Sequence, residues 1–191
     1  MINTAIQTIT ESLNDYLKAE FNLNEEIVVL SNLLEQDGSV TPNLENRIAV
    51  FVINVEKDTS RGPTQSIQRR DARNVQYGFD PVCINIYLVF AFNFNGRNYE
   101  ESLKFLSQTI GFFQRHPVWD HHNTPGIDPR VSRLCMDIVN LDIKDLSNLW
   151  GVISSKYIPS VIYKIRTFIF ESSAIRKKST AMRDPSRSLE N

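Results

Sequence analysis

The sequence predicts an α/β (α+β) fold: a single compact domain in which a mostly buried mixed sheet is flanked by about three helices, with a long polar loop and a basic C-terminal tail. Three observations lead there. From Val82 onward, Ile84, Ile86, Leu88, Phe90, Phe92 and Phe94 recur at period two, while Cys83, Tyr87, Val89 and Ala91 fill the opposite face, so this strand is expected at the centre of its sheet. Between Arg47 and Val55, Ile48, Val50 and Val52 alternate with Ala49, Phe51 and Ile53, which makes a second strand covered on both faces and a neighbour of the first. Helical spacing dominates elsewhere.

In chain order, Ile2, Ile6, Ile9, Leu13 and Leu17 form one apolar stripe with Glu11, Asp15 and Lys18 between them, an amphipathic first helix. Ile27 to Leu33 is β-rich and runs into Asp37-Gly38, a pair that favours positive φ, so a short strand or hairpin arm is expected. From Glu56 to Asp80 the pattern dissolves into polar residues with Gly62-Pro63, Arg69-Arg70-Asp71 and Gly78, and the segment reads as a flexible loop that orders against a partner. Its nearly balanced charge speaks against a phosphate site. The central strand turns at Asn95-Gly96 into a helix with Tyr99, Leu103, Leu106, Ile110 and Phe113 at helical period, N-capped by Asn98 with Glu101 three residues on.

His116, Asp120, His121, His122 and Asp128 invite a metal reading, but adjacent histidines point apart and no second ligand pair follows. A proline-punctuated surface loop (Pro117, Pro125, Pro129) is the better expectation, with Trp119 as an anchor within it. Leu134, Met136 and Ile138 alternate as a strand. Asp142 with Asp145 then opens a helix whose buried stripe is Leu146, Leu149, Trp150 and Ile153, broken by Lys156 to Ser160. Val161 to Phe170 is a last strand; because Lys164 and Arg166 sit among Ile162, Phe168 and Phe170, an edge or interface position is expected.

At 191 residues, 41% hydrophobic and 23% charged, the chain buries a core as one domain, expected over 1–171, and 172–191 reads as a basic, flexible tail bearing Arg176, Lys177, Lys178, Arg183 and Arg187. A formal net charge of −1 argues against a general nucleic-acid binder. The two cysteines, Cys83 and Cys135, fit a reducing site of synthesis. No signal segment is visible, and the longest purely apolar run, Tyr87 to Phe92, is too short for a bilayer. No catalytic triad, glycine-rich phosphate loop, cofactor motif or coherent metal set is recognisable, so no enzyme is expected.

Several stretches carry a family resemblance: Ile2-Asn3-Thr4-Ala5, Ile27 to Leu33, Gln36 to Val40, Asn85-Ile86-Tyr87-Leu88, Asn98 to Ser107, Leu146-Ser147-Asn148-Leu149-Trp150-Gly151 and Lys156 to Val161. In this order they resemble the tail-terminator (cap) proteins of extracellular contractile injection systems, phage-tail-like particles of the antifeeding prophage and virulence cassette type. The resemblance implies a structural subunit with no catalytic, metal or cofactor residues. It implies a homohexameric ring that binds sheath and inner-tube subunits and stops their polymerisation, with no membrane or specific nucleic acid as partner. Cytoplasmic synthesis and assembly, then release on an extracellular particle, go with it. Lys164, Arg166, Trp119, Arg69 and Arg70 are the candidate sheath or tube contacts by composition. The alternatives are a peptide- or nucleic-acid-binding module resting on the basic tail, whose binding would be salt-dependent, and a metal-dependent enzyme using the loop from His116 to Asp128.

Overall fold

Apolar alternation on both faces of the central strands sets the architecture. In the computed structural model the described residues are 2–35, 37–59, 67–71, 74–78, 82–124, 126–128, 131, 133–170 and 175–180, with backbone alone for 67–71, 74–78, 167–170 and 175–180. The chain divides into two compact units, one of Met1–Glu56 with Ile84–Phe168, the other of Lys57–Cys83 with Ile169–Asn191.

The first unit holds three α-helices, α1 (Ile2–Phe21), α2 (Tyr99–Arg115) and α3 (Ile143–Ile153). Its mixed sheet contains β1 (Val28–Leu30), β2 (Arg47–Lys57), β5 (Val82–Asn93), β6 (Val118–Asp120), β7 (Arg133–Ile138) and β8 (Ser160–Phe170), in the spatial order β1-β2-β5-β8-β7-β6. β1 pairs parallel with β2, Val28 opposite Ile48; β7 pairs antiparallel with both β8 and β6.

Period-two alternation divides the sheet residues between two apolar layers. On one face Ile48, Val50, Ile86, Leu88, Phe90, Phe92, Tyr163 and Ile165 pack under α1 and α2. The other face presents Ala49, Phe51, Val89, Ala91 and Ile162 to Trp150 of α3 and to Leu33 and Leu44. A helix layer therefore lies on each side. β5 is buried on both faces over most of its length as its sequence predicts, whereas β2 is buried on both faces only from Ile48 to Phe51, and Val52, expected on a covered face, is 41% exposed.

Several polar groups inside these layers are satisfied locally, although the indole N–H groups of Trp119 and Trp150 and the Thr109 hydroxyl are buried without a partner. The Thr10 hydroxyl donates to the Ile6 carbonyl at 2.8 Å. The buried Asn14 side chain accepts from the backbone N–H groups of Ile27 and Val28 at 2.9 and 3.1 Å, so α1 fixes the start of β1. Tyr16 of α1 donates to Gln108 of α2 at 2.7 Å and accepts from Arg115, which ties the two helices together.

Four expectations from the sequence are corrected. The α2 face is rotated: Ser102, Phe105, Thr109, Phe112 and Phe113 are buried, while Tyr99 and Leu103 are exposed. Phe105 and Phe112 also recur at helical period, and aromatic contacts with Phe21, Phe94, Tyr16 and Trp119 settle which stripe turns inward. The cap is Asn95 rather than Asn98: a 3₁₀ turn (Gly96–Asn98) precedes the helix, and Asn95 accepts from the N–H groups of Arg97 and Asn98 while Asn98 donates to Asn46. β8 is central between β5 and β7, not an edge. The stretch read as a surface loop contains the edge strand β6, with Trp119 buried at its middle.

The second unit contains β3 (Ile67–Asp71), β4 (Asn74–Gly78) and β9 (Ile175–Thr180), antiparallel in the order β3-β4-β9. Strands thus occur in what reads as polar loop and tail. β3 and β9 carry no apolar alternation, and in β4 only Val75 and Tyr77 alternate with other residues, too short a run to mark a strand by itself. Ser60 to Ser66, with Gly62 and Pro63, lie outside the described residues, as do Arg183, Arg187, Pro125 and Pro129.

Candidate functional site

The candidate residues separate into those engaged inside the fold and those left at its surface. Lys164 on β8 points its ammonium at Glu56 on β2, 2.8 Å from Oε1, and lies 5.2 Å from the centroid of the Tyr87 ring on β5. The same carboxylate oxygen accepts from the Tyr87 hydroxyl at 2.8 Å and from Asn85 at 3.3 Å. Three adjacent strands are joined through one carboxylate. The hydrogen bond from Lys164, then that from Tyr87, hold Glu56 below the usual carboxylate range, and Glu56 in turn raises Lys164. Lys164 is therefore a partner of its own chain. That pairing also explains why charges sit in a central strand.

Arg166 pairs with Asp137 on β7 at 2.5 Å, both about half exposed. Trp119 is buried against Phe112, with ring centroids 6.0 Å apart, so its indole belongs to the core of the unit rather than to a free anchor. Arg69 and Arg70 lie on β3, where only the backbone is described. These candidates do not converge on one patch.

The histidine loop is organised as a turn. Asp120 accepts from the backbone N–H groups of His122 and Asn123 at 2.9 and 3.1 Å, which lowers its pKa, and His121 and His122 are exposed. The His116 ring lies tilted against Phe112, centroids 4.8 Å apart. Among the described residues, no group of three His, Cys, Asp or Glu side chains is placed to hold a metal ion. No helix is long and apolar enough to cross a membrane, again among the described residues.

Sequence reasoning passed over the outer flank of α3. Asp142 caps the helix as expected, its carboxylate accepting from Asp145 N–H at 2.7 Å, and Trp150 is buried as expected. Beside the buried stripe, however, Ile143 is 87% exposed, and a groove of about 470 Å³ runs past Ser147, Trp150 and Gly151 to Tyr157, itself 61% exposed. The signal was present: Ile143, Ser147 and Gly151 are spaced four apart, one flank of a helix with small residues where bulk is usual.

The outermost strands are short and partly bracketed, while β2 runs on past β1 to Lys57. β1 and β6 have three residues each, Asn14 takes the N–H of Val28, and Asn123 brackets β6 by donating to Val118 O and accepting from Asp120 N.

Comparison with solved structures finds this fold in two cryo-EM assemblies. The sheath/tube terminator of an extracellular contractile injection system, PVC, in its extended state matches with a TM-score of 0.64 and 15% identity over 97% of this chain and 63% of that one. The anti-feeding prophage cap, described as the AFP tube terminating cap, matches with a TM-score of 0.52 and 14% identity over 96% of this chain and 59% of that one. The chain spans about three fifths of the length of these solved chains. A search of curated proteins gives no match. The family model of the Pvc16 N-terminal domain matches residues 4–183, nearly the full length, and the chain belongs to that family.

Proposed function

We propose that this chain is a structural cap of a contractile injection system, closing as a six-fold ring on the end of the sheath and inner tube and stopping their growth. One observation carries the reading: a fold likeness across nearly the whole chain to two proteins described as sheath/tube terminator and tube terminating cap. Family membership over residues 4–183 agrees with it. Sheath and tube subunits add because each layer re-creates the same acceptor surface, so a terminator must bind that surface and present an unlike one. The role calls for no catalytic group, metal or cofactor. Synthesis and assembly in the cytoplasm followed by release on the particle suit it.

Of the composition-based contacts, Arg166, Arg69 and Arg70 are the ones we carry forward as cationic contacts to sheath or tube. Lys164 and Trp119 are committed to the fold. The test is to add purified chain to polymerising sheath and tube subunits and to image the products. Shorter, narrowly distributed particles bearing a terminal ring are expected. Particles of unchanged length with bare ends would overturn the reading.

A further inference from the structure

The chain passes between its two units three times, after Glu56, before Ile84 and after Phe168. These crossings fall on β2, β5 and β8, which are neighbours in the six-stranded sheet. They also fall at one end of it. The N–H of Asp58 donates to the Cys83 carbonyl at 2.9 Å, which sets the end of β2 beside the start of β5. The N–H of Phe92 donates to the Pro159 carbonyl at 2.9 Å, so β8 begins beside the end of β5 and runs back toward its start.

The two apolar layers thin out toward that end. Among the described side chains, burial stops after Phe51 in β2, starts at Asn85 in β5 and stops after Ile165 in β8, and Val52 and Val55 are 41% and 51% exposed. What ties the three strands there is the Glu56 carboxylate, which accepts from the Lys164 ammonium and the Tyr87 hydroxyl, both at 2.8 Å, and from the Asn85 amide at 3.3 Å. The Glu56 and Lys164 side chains are 39% and 27% exposed, so this tie holds by charge and hydrogen bonding rather than by burial.

Strand ends held by one polar tie, beside layers held by apolar burial, are where local opening separates from global unfolding. We infer that Glu56 is the latch of such an opening: while charged, it clamps the ends of β2, β5 and β8 that lead into the second unit, and when neutralised it lets those ends and the second unit's strands loosen with both apolar layers intact. The direction in pH follows from the groups that face it. Lys164 from β8 and Tyr87 from β5 both favour the carboxylate, and among the described residues no other charged group acts on it. Lys57, next along β2, is exposed, and Arg166, two residues beyond Lys164, is taken by Asp137 of β7. A carboxylate stabilised in the folded chain gives its full contribution above the unfolded pKa and loses it as pH falls through the folded value, so acid opens the latch. The latch stands whether or not the chain caps a tail.

Hydrogen exchange of the full chain, corrected for the intrinsic pH dependence of amide exchange, tests it on wild type, on Glu56→Gln, which keeps the size and loses the charge, and on Tyr87→Phe, which removes one donor. At pH 7 Glu56→Gln is expected to speed exchange at least about ten-fold across residues 52–57, Asn74–Gly78 and Ile175–Thr180, and Tyr87→Phe to speed it less, with Leu88, Phe90 and Ile165 as protected as in wild type. Below about pH 4 the wild type is expected to exchange like Glu56→Gln, whose own profile stays flat. Equal protection of the three segments in wild type and Glu56→Gln at pH 7 would overturn the latch, as would wild-type segments left unprotected at every pH. Faster exchange that reaches Phe90 and Ile165 equally, or a Glu56→Gln that fails to fold, would make the tie part of global stability and overturn it too.

Discussion

Replacing Trp150 separates what its ring contributes from what its N–H costs. The side chain is 4% exposed in the layer formed with Leu33, Phe51, Val89, Ala91 and Ile162, and its ring meets Tyr157 edge-on at 5.8 Å. Its indole N–H is buried without a hydrogen-bond partner. Truncating a buried Trp to Ala costs about 3–5 kcal/mol. Here one side of the ring lines the open groove, so water fills part of the space left, and the lower half of that range is expected. Trp150→Phe keeps most of the ring area and removes a donor whose unpaired burial costs about 1–3 kcal/mol, so it is expected to lose about 1 kcal/mol or less. For a chain of this size each kcal/mol moves Tm by about 2–4 °C, so Trp150→Ala should melt at least about 6 °C below wild type and Trp150→Phe within about 4 °C of it. Urea titration with ring counting by electron microscopy is the assay. Equal losses in the two variants would show that the N–H is bonded after all. A fully stable Trp150→Ala that no longer assembles would make Trp150 an interface anchor and refute its place in the core.

Other substitutions probe separate parts of the argument. Gly151→Ala should raise stability by about 1 kcal/mol, read as a higher urea midpoint, because its Cβ enters open space. Asn14→Ala should cost about 2 kcal/mol by stripping the acceptor from two N–H groups of β1, with faster hydrogen exchange at Val28 as the direct readout. Lys164→Glu should destabilise the fold by setting a second carboxylate against Glu56, whereas Arg166→Ala, which breaks a half-exposed pair, should change stability by less than about 1 kcal/mol. Because Glu56 has a folded pKa below its unfolded value of about 4.3, its contribution is complete above that pH and is lost as pH falls through the folded value; the stability gap between wild type and Lys164→Met should therefore shrink on acidification below about pH 4.

The sequence made β2, β5, α1 and α3 legible because each carries an unambiguous apolar period and a recognisable boundary. Errors arose where two patterns competed or the deciding partner was remote. On α2, Tyr99–Leu103 and Phe105–Phe112 are equally periodic, and only packing against Phe21, Tyr16 and Trp119 chooses between them. Lys164 and Arg166 suggested an edge because Glu56, more than a hundred residues away, and Asp137 on the neighbouring strand could not be paired with them in advance. β6 is three residues long, β3 and β9 are polar, and β4 offers only Val75 and Tyr77, so none shows an alternation long enough to read. The candidate site was less legible still. Charge drew attention to residues that the fold uses internally, whereas the α3 groove is built from small and apolar residues that look like ordinary helix until their exposure is known.

The short outer strands of the six-stranded sheet bear directly on how a polymer ends. A strand with free N–H and C=O groups is a template: whatever pairs with it exposes a new edge, and growth continues. In this unit the outermost strands are three residues long, Asn14 holds β1 from one side and Asn123 brackets β6 at the other, so each of these strands offers little template of its own. Side-to-side contact in a ring behaves differently. In a closed ring of heterologous contacts the two complementary surfaces of every subunit are consumed, leaving no unsatisfied copy of either. On the cap reading, closure of the ring and absence of a further acceptor go together: a subunit that spends its side-to-side surfaces on its neighbours has no copy of them left to offer the next layer.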